Sequence, residues 1–216
     1  VGAIEIANYA KHEFTGARAG DFLDRLLAGR LPGPGRINLS PMLTPKGKLH
    51  GDLTVACLDA ETYYLFGSGA AQDMHRRWFE QHLPDQGVVY RNRSDALHGM
   101  AVAGPNARAL LSRMTRQDVS ADAYRFRDIR RVTVAAVPVI LARISFSGEL
   151  GYEIYCAPHY QLRLFEAIEE AGRDLGLKLY GNRALMALRL EKGWGAWTLD
   201  FRPDFTAAES GLDAFI

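Results

Sequence analysis

Two stretches of this chain carry the same local plan. "FTGARAGDFLDRLL" (14–27) and "VAGPNARALLSRMT" (102–115) align without a gap, matching Gly16 with Gly104, Ala19 with Ala107, Leu23 with Leu111 and Arg25 with Arg113. Each reads as a strand end, a glycine turn and a short helix, because glycine frees the backbone to turn and apolar residues follow at helical spacing. In the first helix Phe22, Leu23, Leu26 and Leu27 share a face, and Gly29 followed by Pro32 supplies the stop. In the second, Pro105 stands at the start while Leu110, Leu111 and Met114 point inward. Four identities are few enough for chance to compete with duplication, and both origins stay open.

After each helix the chain turns to strands. Residues 53–57 and 63–66 flank the turn-forming "LDAETY" and predict a hairpin, while 132–134, 137–145 and 151–156 predict an antiparallel meander. Further helices are expected over 70–82, with Met74 and Trp78 inward, over 159–175, with Leu162, Phe165 and Ile168 inward, and over 184–190. The order β-α-β-β-α, followed by a similar second unit, argues for an α+β fold of two lobes. Each lobe is an antiparallel sheet with packed helices rather than part of a doubly wound parallel sheet. "LPGPGRINLSP" (31–41), dense in proline and glycine, is the expected crossing between lobes.

Composition excludes several classes of function. With 216 residues, 48% of them hydrophobic, the chain is long enough for one large core or two smaller ones. A formal net charge of +1, with arginines scattered among acids, provides no basic stripe, so nucleic acid is not an expected partner. Cys57 and Cys156 lie inside apolar runs and read as buried thiols of a reducing compartment. There is no apolar run of the roughly 20 residues needed to span a bilayer and no signal-peptide pattern, so no membrane role and a cytoplasmic setting are expected. No metal site is expected either. The motifs Cys-x-x-Cys and His-Glu-x-x-His are missing, and His75 and His82 read as a solvated helix face. "GSGAAQ" (67–72) lacks the third glycine of a dinucleotide fingerprint. The start at Val1 and the end at "GLDAFI" suggest a portion of a longer polypeptide.

What remains is a pair of acids at glycine-punctuated turns, Asp52 after "TPKGKLHG" and Glu153 after "SGELG". If the duplication is real, they come at nearly corresponding places and would face one another across a lobe interface. Two readings stand for each: Asp52 as a turn residue or a reactive acid, Glu153 as a solvated strand position or a ligand contact.

At these residues the chain resembles a known family. "NYAKHEFTG", "DFLDRLLAGRLPGPGRINLSPMLTPKGKLHGDLTV", "SFSGELGYEIY" and "ALRLEKGWGAW" look like the folate-binding aminomethyltransferases, the family of the glycine-cleavage T-protein. Within it, "NYAK", "PML", "GSG" and the "LR-EK" pattern resemble the folate module of dimethylglycine and sarcosine dehydrogenases and oxidases. The resemblance implies a clover-leaf fold around tetrahydrofolate. Residues 1–35 with 130–216 would form one lobe and 36–129 the other, and the C-terminal barrel lobe of the family is absent.

The resemblance also implies roles. Asp52 is the expected catalytic acid, near folate N10, and Glu153 the pterin ligand, a role that suits paired acceptors facing adjacent N–H donors. Tyr9, Ser68, Phe146 and Tyr152 complete the expected cofactor-binding set, Tyr9 reading equally well as a core tyrosine. Ser68 stands where the family has asparagine, Phe146 where it has tyrosine and Leu185 where T-proteins have arginine. Arg183 or Arg189 would compensate, although Arg189 also reads as a structural partner of Glu191. The implied activity is tetrahydrofolate-dependent capture of the carbon from an oxidised N-methyl amine such as dimethylglycine or sarcosine. FAD would sit only on a missing domain or a flavoprotein partner. The alternative is a non-catalytic folate-binding regulatory or interaction module.

Overall fold

The computed structural model describes residues 1–216. In chain order the elements are β1 (Gly2–Glu5), β2 (Ala10–Thr15), α1 (Ala19–Leu26), β3 (Arg36–Leu43), β4 (Leu49–Asp59), β5 (Thr62–Gly67), α2 (Gln72–His82) and β6 (Val89–Asn92). There follow β7 (His98–Ala103), α3 (Ala107–Met114), β8 (Ile129–Val134), β9 (Val137–Ala142), β10 (Gly151–Cys156), α4 (Gln161–Gly172), β11 (Lys178–Leu179) and α5 (Asn182–Glu191). They form two compact units. Unit 1 is Val1–Ala7 with Asp95–Trp194, and unit 2 is Asn8–Ser94 with Gly195–Ile216.

Unit 2 is built on a five-stranded sheet in the order β3-β4-β5-β2-β6, with every pair antiparallel. Its helices cover one face, where Phe22 and Leu23 of α1 and Phe79 of α2 meet Phe14, Leu53, Val55 and Leu65 of the strands. Unit 1 has a six-stranded sheet, β11-β1-β7-β10-β9-β8, antiparallel except for the short β1–β11 pair. Leu110 and Leu111 of α3 and Leu164 and Ile168 of α4 pack there on Val102, Leu141, Tyr152 and Ile154.

Both units follow one plan: a strand, a glycine turn, a helix, a three-stranded meander and a second helix, with the last meander strand returning beside the first strand. The turns are alike in detail. Gly16 has φ 124° and Gly104 φ 120°, and each offers its carbonyl to the third residue on, Ala19 N–H at 2.9 Å and Ala107 N–H at 3.0 Å. Only glycine adopts that φ without strain, which is why the aligned stretches share this residue. The second helices also match, each entered through a 3₁₀ turn, Gly69–Ala71 before α2 and Pro158–Tyr160 before α4.

Several sequence expectations change. The first helix ends at Leu26 rather than at Gly29, because Leu27 turns extended and bridges to Met42. The segment 31–41 is no lobe crossing: from Arg36 onward it is edge strand β3, whose outer side tolerates Pro41 because no partner strand needs its missing N–H. The units divide differently from the expected 1–35 with 130–216 and 36–129. Strand β2 pairs with β5 and β6 inside unit 2, and Leu49 N–H binds Phe205 O at 2.8 Å, tying the C-terminal segment to that unit too. Helix α2 buries His75 and Phe79 instead of Met74 and Trp78, and α4 buries Leu164 while Leu162 is exposed.

Candidate functional site

Glu153 sits in the middle of β10, every residue of which is buried. Side chains alternate along a strand, so Tyr152, Ile154 and Cys156 enter the helix-covered core while Glu153 and Tyr155 share the other face. The flanking strands leave room for the carboxylate, since its cross-strand neighbours are Ala101 on β7 and Ala142 on β9. Tyr155 donates its hydroxyl to Glu153 Oε2 at 2.6 Å. That is a short, charge-assisted bond between two buried groups.

Two further groups of unit 1 sense this carboxylate. Tyr180 is held above its ordinary pKa by burial and then by the Glu153 charge. Lys192, just past α5, is pulled down by partial burial and pushed back up by Glu153. Lys192 Nζ donates to Ser145 O at 3.0 Å, and its alkyl chain lies against Gly148, whose φ is +87°. The 145–150 turn is further tied by the Ser145 and Ser147 hydroxyls at 2.7 Å and by Gly104 N–H on Leu150 O at 2.9 Å. The turn that delivers β10 is therefore pinned from two sides.

Asp52 lies in unit 2 on β4. Leu53, Val55 and Cys57 turn into the core, and Asp52 alternates to the opposite face, with Pro41 as its cross-strand neighbour. Burial raises its pKa to about 7, its own backbone N–H being the one group that pulls the value back. A carboxyl poised near neutral pH suits proton transfer. The same face carries a second acid–tyrosine contact, between the Tyr64 hydroxyl and Glu13 on the neighbouring strand, with Arg91 3.8 Å from Glu13.

The remaining expected residues fall less neatly. Tyr152 is corrected: it is fully buried in the helix-side core, and Arg108 Nε donates to its hydroxyl at 3.2 Å, so it points away from Glu153. Tyr9 is half-buried in the turn before β2, Ser68 is half-buried just ahead of the 3₁₀ turn before α2, and Phe146 is half-buried in the bend before β10. Leu185 is buried and Arg183 exposed, while Arg189 is buried and donates to Trp194 O at 2.9 Å. The expected correspondence of Asp52 with Glu153 also fails. Asp52 is on the middle strand of one meander and Glu153 on the last strand of the other, so pairing register matches Asp52 with Pro138 and Glu153 with Tyr64.

Sequence reasoning missed Tyr155, Tyr180 and Lys192. The i, i+2 spacing of Glu153 and Tyr155 was a visible signal for the first; the other two reach Glu153 only through tertiary packing. It also misread His75. That residue is fully buried, its Nε2 lies 2.9 Å from His50 O, and its ring meets His12 at 6.1 Å. Burial lowers His75 to about 4 and His12 to about 3. No helix is long and apolar enough to cross a membrane.

Comparison with known proteins agrees with this architecture. The family model described as the GCVT N-terminal domain matches residues 1–216. The mitochondrial dimethylglycine dehydrogenase of Rattus norvegicus is 36% identical over 219 residues, covering 100% of this chain and 25% of that protein. An aminomethyltransferase of Chloroherpeton thalassium is 30% identical over 199 residues, 91% of this chain and 54% of its own length. The crystal structure of the glycine cleavage system aminomethyltransferase T from Bartonella henselae superposes with a TM-score of 0.83 at 21% identity, covering 95% of this chain and 55% of that one. The chain thus spans about a quarter to about half the length of these proteins.

Proposed function

The chain belongs to the GCVT N-terminal domain family, and from that premise we propose that it is the folate-binding portion of an enzyme that passes a one-carbon unit from an oxidised N-methyl amine to tetrahydrofolate. Its similarity to dimethylglycine dehydrogenase across its whole length favours dimethylglycine or sarcosine as the source of that amine. In this reading a flavin centre outside these 216 residues performs the oxidation.

The observation that carries the proposal is Glu153: a carboxylate buried on β10, flanked by alanines and bonded by Tyr155. A buried carboxylate is costly to desolvate and needs donors for its oxygens. Adjacent N–H and amino donors of a pterin are the complementary partner for its acceptor oxygens, so the residues present fit the ligand.

Bound tetrahydrofolate would supply the two nitrogens, N5 and N10, that take up the carbon. Within unit 1, Glu153 would accept hydrogen bonds from the pterin edge and so orient the ring. Taken by itself in unit 2, Asp52 would accept a proton from a folate nitrogen, a task that suits a carboxyl with a pKa of about 7. The protein's share is mostly placement and charge, which lowers the barrier by replacing a bimolecular encounter with a local one.

The test is calorimetric titration of the chain with tetrahydrofolate, together with an assay of methylene-tetrahydrofolate formation using formaldehyde as carbon source. Saturable binding with accelerated product formation is expected. Binding without acceleration would favour the non-catalytic module, and no binding would overturn the proposal.

A further inference from the structure

We infer that Tyr155 is a positioning residue that presets the plane and the ionised state of the Glu153 carboxylate, an inference that builds on the role proposed for Glu153. Three features of unit 1 make the arrangement. Glu153 and Tyr155 are two residues apart on one strand and therefore share a face. The tyrosine hydroxyl reaches back along that face to Oε2 at 2.6 Å. The ring is able to lie there because Gly99 is opposite it on β7: a Cβ at that position would come within 3.0 Å of Tyr155 Cδ1, 2.8 Å of Ile154 O and 3.2 Å of Ile6 Cγ1.

The physical consequence follows from the chemistry of the bond. A phenol donating to a carboxylate favours the ionised form and stops rotation about the terminal carbon–carbon bond, so the acceptor oxygens are aimed before a ligand arrives. Removing the hydroxyl takes away one of the contacts that order the carboxylate, and more of that ordering then falls at the moment of binding. Tyr155 touches no ligand in this scheme; it acts through Glu153. Tyr180 and Lys192 of the same unit also sense the Glu153 charge, so the hydroxyl acts together with them on the carboxylate; the second tyrosine–glutamate contact, Tyr64 with Glu13 in unit 2, has Arg91 beside the acid.

Tyr155→Phe removes the hydroxyl and keeps the ring, and Gly99→Ala displaces the ring while keeping the hydroxyl. Each variant, prepared in the complete chain with ¹³C-labelled glutamate, is to be titrated by carboxyl NMR without ligand and then with tetrahydrofolate by calorimetry. The expected result is an upward move of the Glu153 titration midpoint in both variants and an affinity loss of roughly tenfold in Tyr155→Phe, with the acid limb of the binding profile shifted the same way. Should Gly99→Ala fail to fold, Tyr155→Phe alone decides. An unchanged Glu153 titration in folded Tyr155→Phe overturns the inference even if folate binds. A shifted titration in a protein whose wild type takes no folate supports the action of Tyr155 on Glu153 and refutes the folate reading instead.

Discussion

The imidazoles of His12 and His75 meet edge to face 6.1 Å apart in the core of unit 2, both fully buried. His75 Nε2 faces the carbonyl of His50 and must carry the proton, while His12 Nδ1 is 2.8 Å from the Tyr90 hydroxyl. Neither ring has a carboxylate against it to balance a second proton. Burial lowers His12 to about 3 and His75 to about 4, and in each case a neighbouring histidine would repel the cation.

The sign of the resulting pH dependence follows. Both histidines titrate near 6.5 once unfolded and far lower when folded, so their neutral forms are favoured by folding. Stability should be complete above pH 6.5 and fall as the pH drops toward 4 and then 3, by on the order of several kcal/mol in all. Urea unfolding at pH 7, 5 and 4 measures the loss, and His75→Gln should flatten it. An equal slope in wild type and variant would refute the assignment.

Asp52 should act in the opposite direction. Its carboxyl titrates at about 7 when folded and near 3.8 when unfolded, so folding favours the protonated form and loses stability as the pH rises from 3.8 to 7. Asp52→Asn is expected to stabilise the chain at pH 8, by up to roughly 4 kcal/mol, and much less at pH 4. Thermal midpoints at the two pH values provide the check.

The same substitution tests function. Asp52→Asn should leave tetrahydrofolate affinity within about 1 kcal/mol while slowing methylene-tetrahydrofolate formation roughly a hundredfold, and the rising limb of the rate profile near pH 7 should vanish. A variant that gains stability and loses rate would mark Asp52 as a residue kept for chemistry. A variant that keeps its rate would remove Asp52 from the proposed mechanism.

Glu153→Gln preserves shape but turns one acceptor into a donor toward a donor. Folate affinity should fall by about 2–4 kcal/mol, the range for losing a charged hydrogen bond and stranding its partner. Calorimetry reads the change directly, and a full-affinity variant would place the pterin elsewhere.

The two glycine turns provide a test of the repeated plan. Alanine at Gly104 must adopt φ 120° but meets nothing closer than Val1 Cα at 3.5 Å, so strain of about 1–3 kcal/mol is expected. Alanine at Gly16 has a similar φ and also brings its Cβ to 2.5 Å from Gly87 O. Gly16→Ala should therefore cost clearly more in denaturant unfolding than Gly104→Ala, and the reverse order would contradict the geometry.

By itself the sequence determined the local grammar. Gly16 and Gly104 announce turns because only glycine takes their backbone angles cheaply, the strand–helix order follows from apolar spacing, and the block around Glu153 identifies the family. Strand alternation carried the signal that sets Tyr152 on the opposite face from Glu153, yet the expected cofactor-binding set grouped the two and only the packing separated them. Only the tertiary structure decided which strands lie side by side, and with that the non-equivalence of Asp52 and Glu153, the place of β2 and the C-terminal segment in unit 2, and the burial of His75. These depend on hydrogen bonds and contacts between residues far apart in the chain, and one sequence read position by position carries no signal of which distant partner a strand edge or helix face will find.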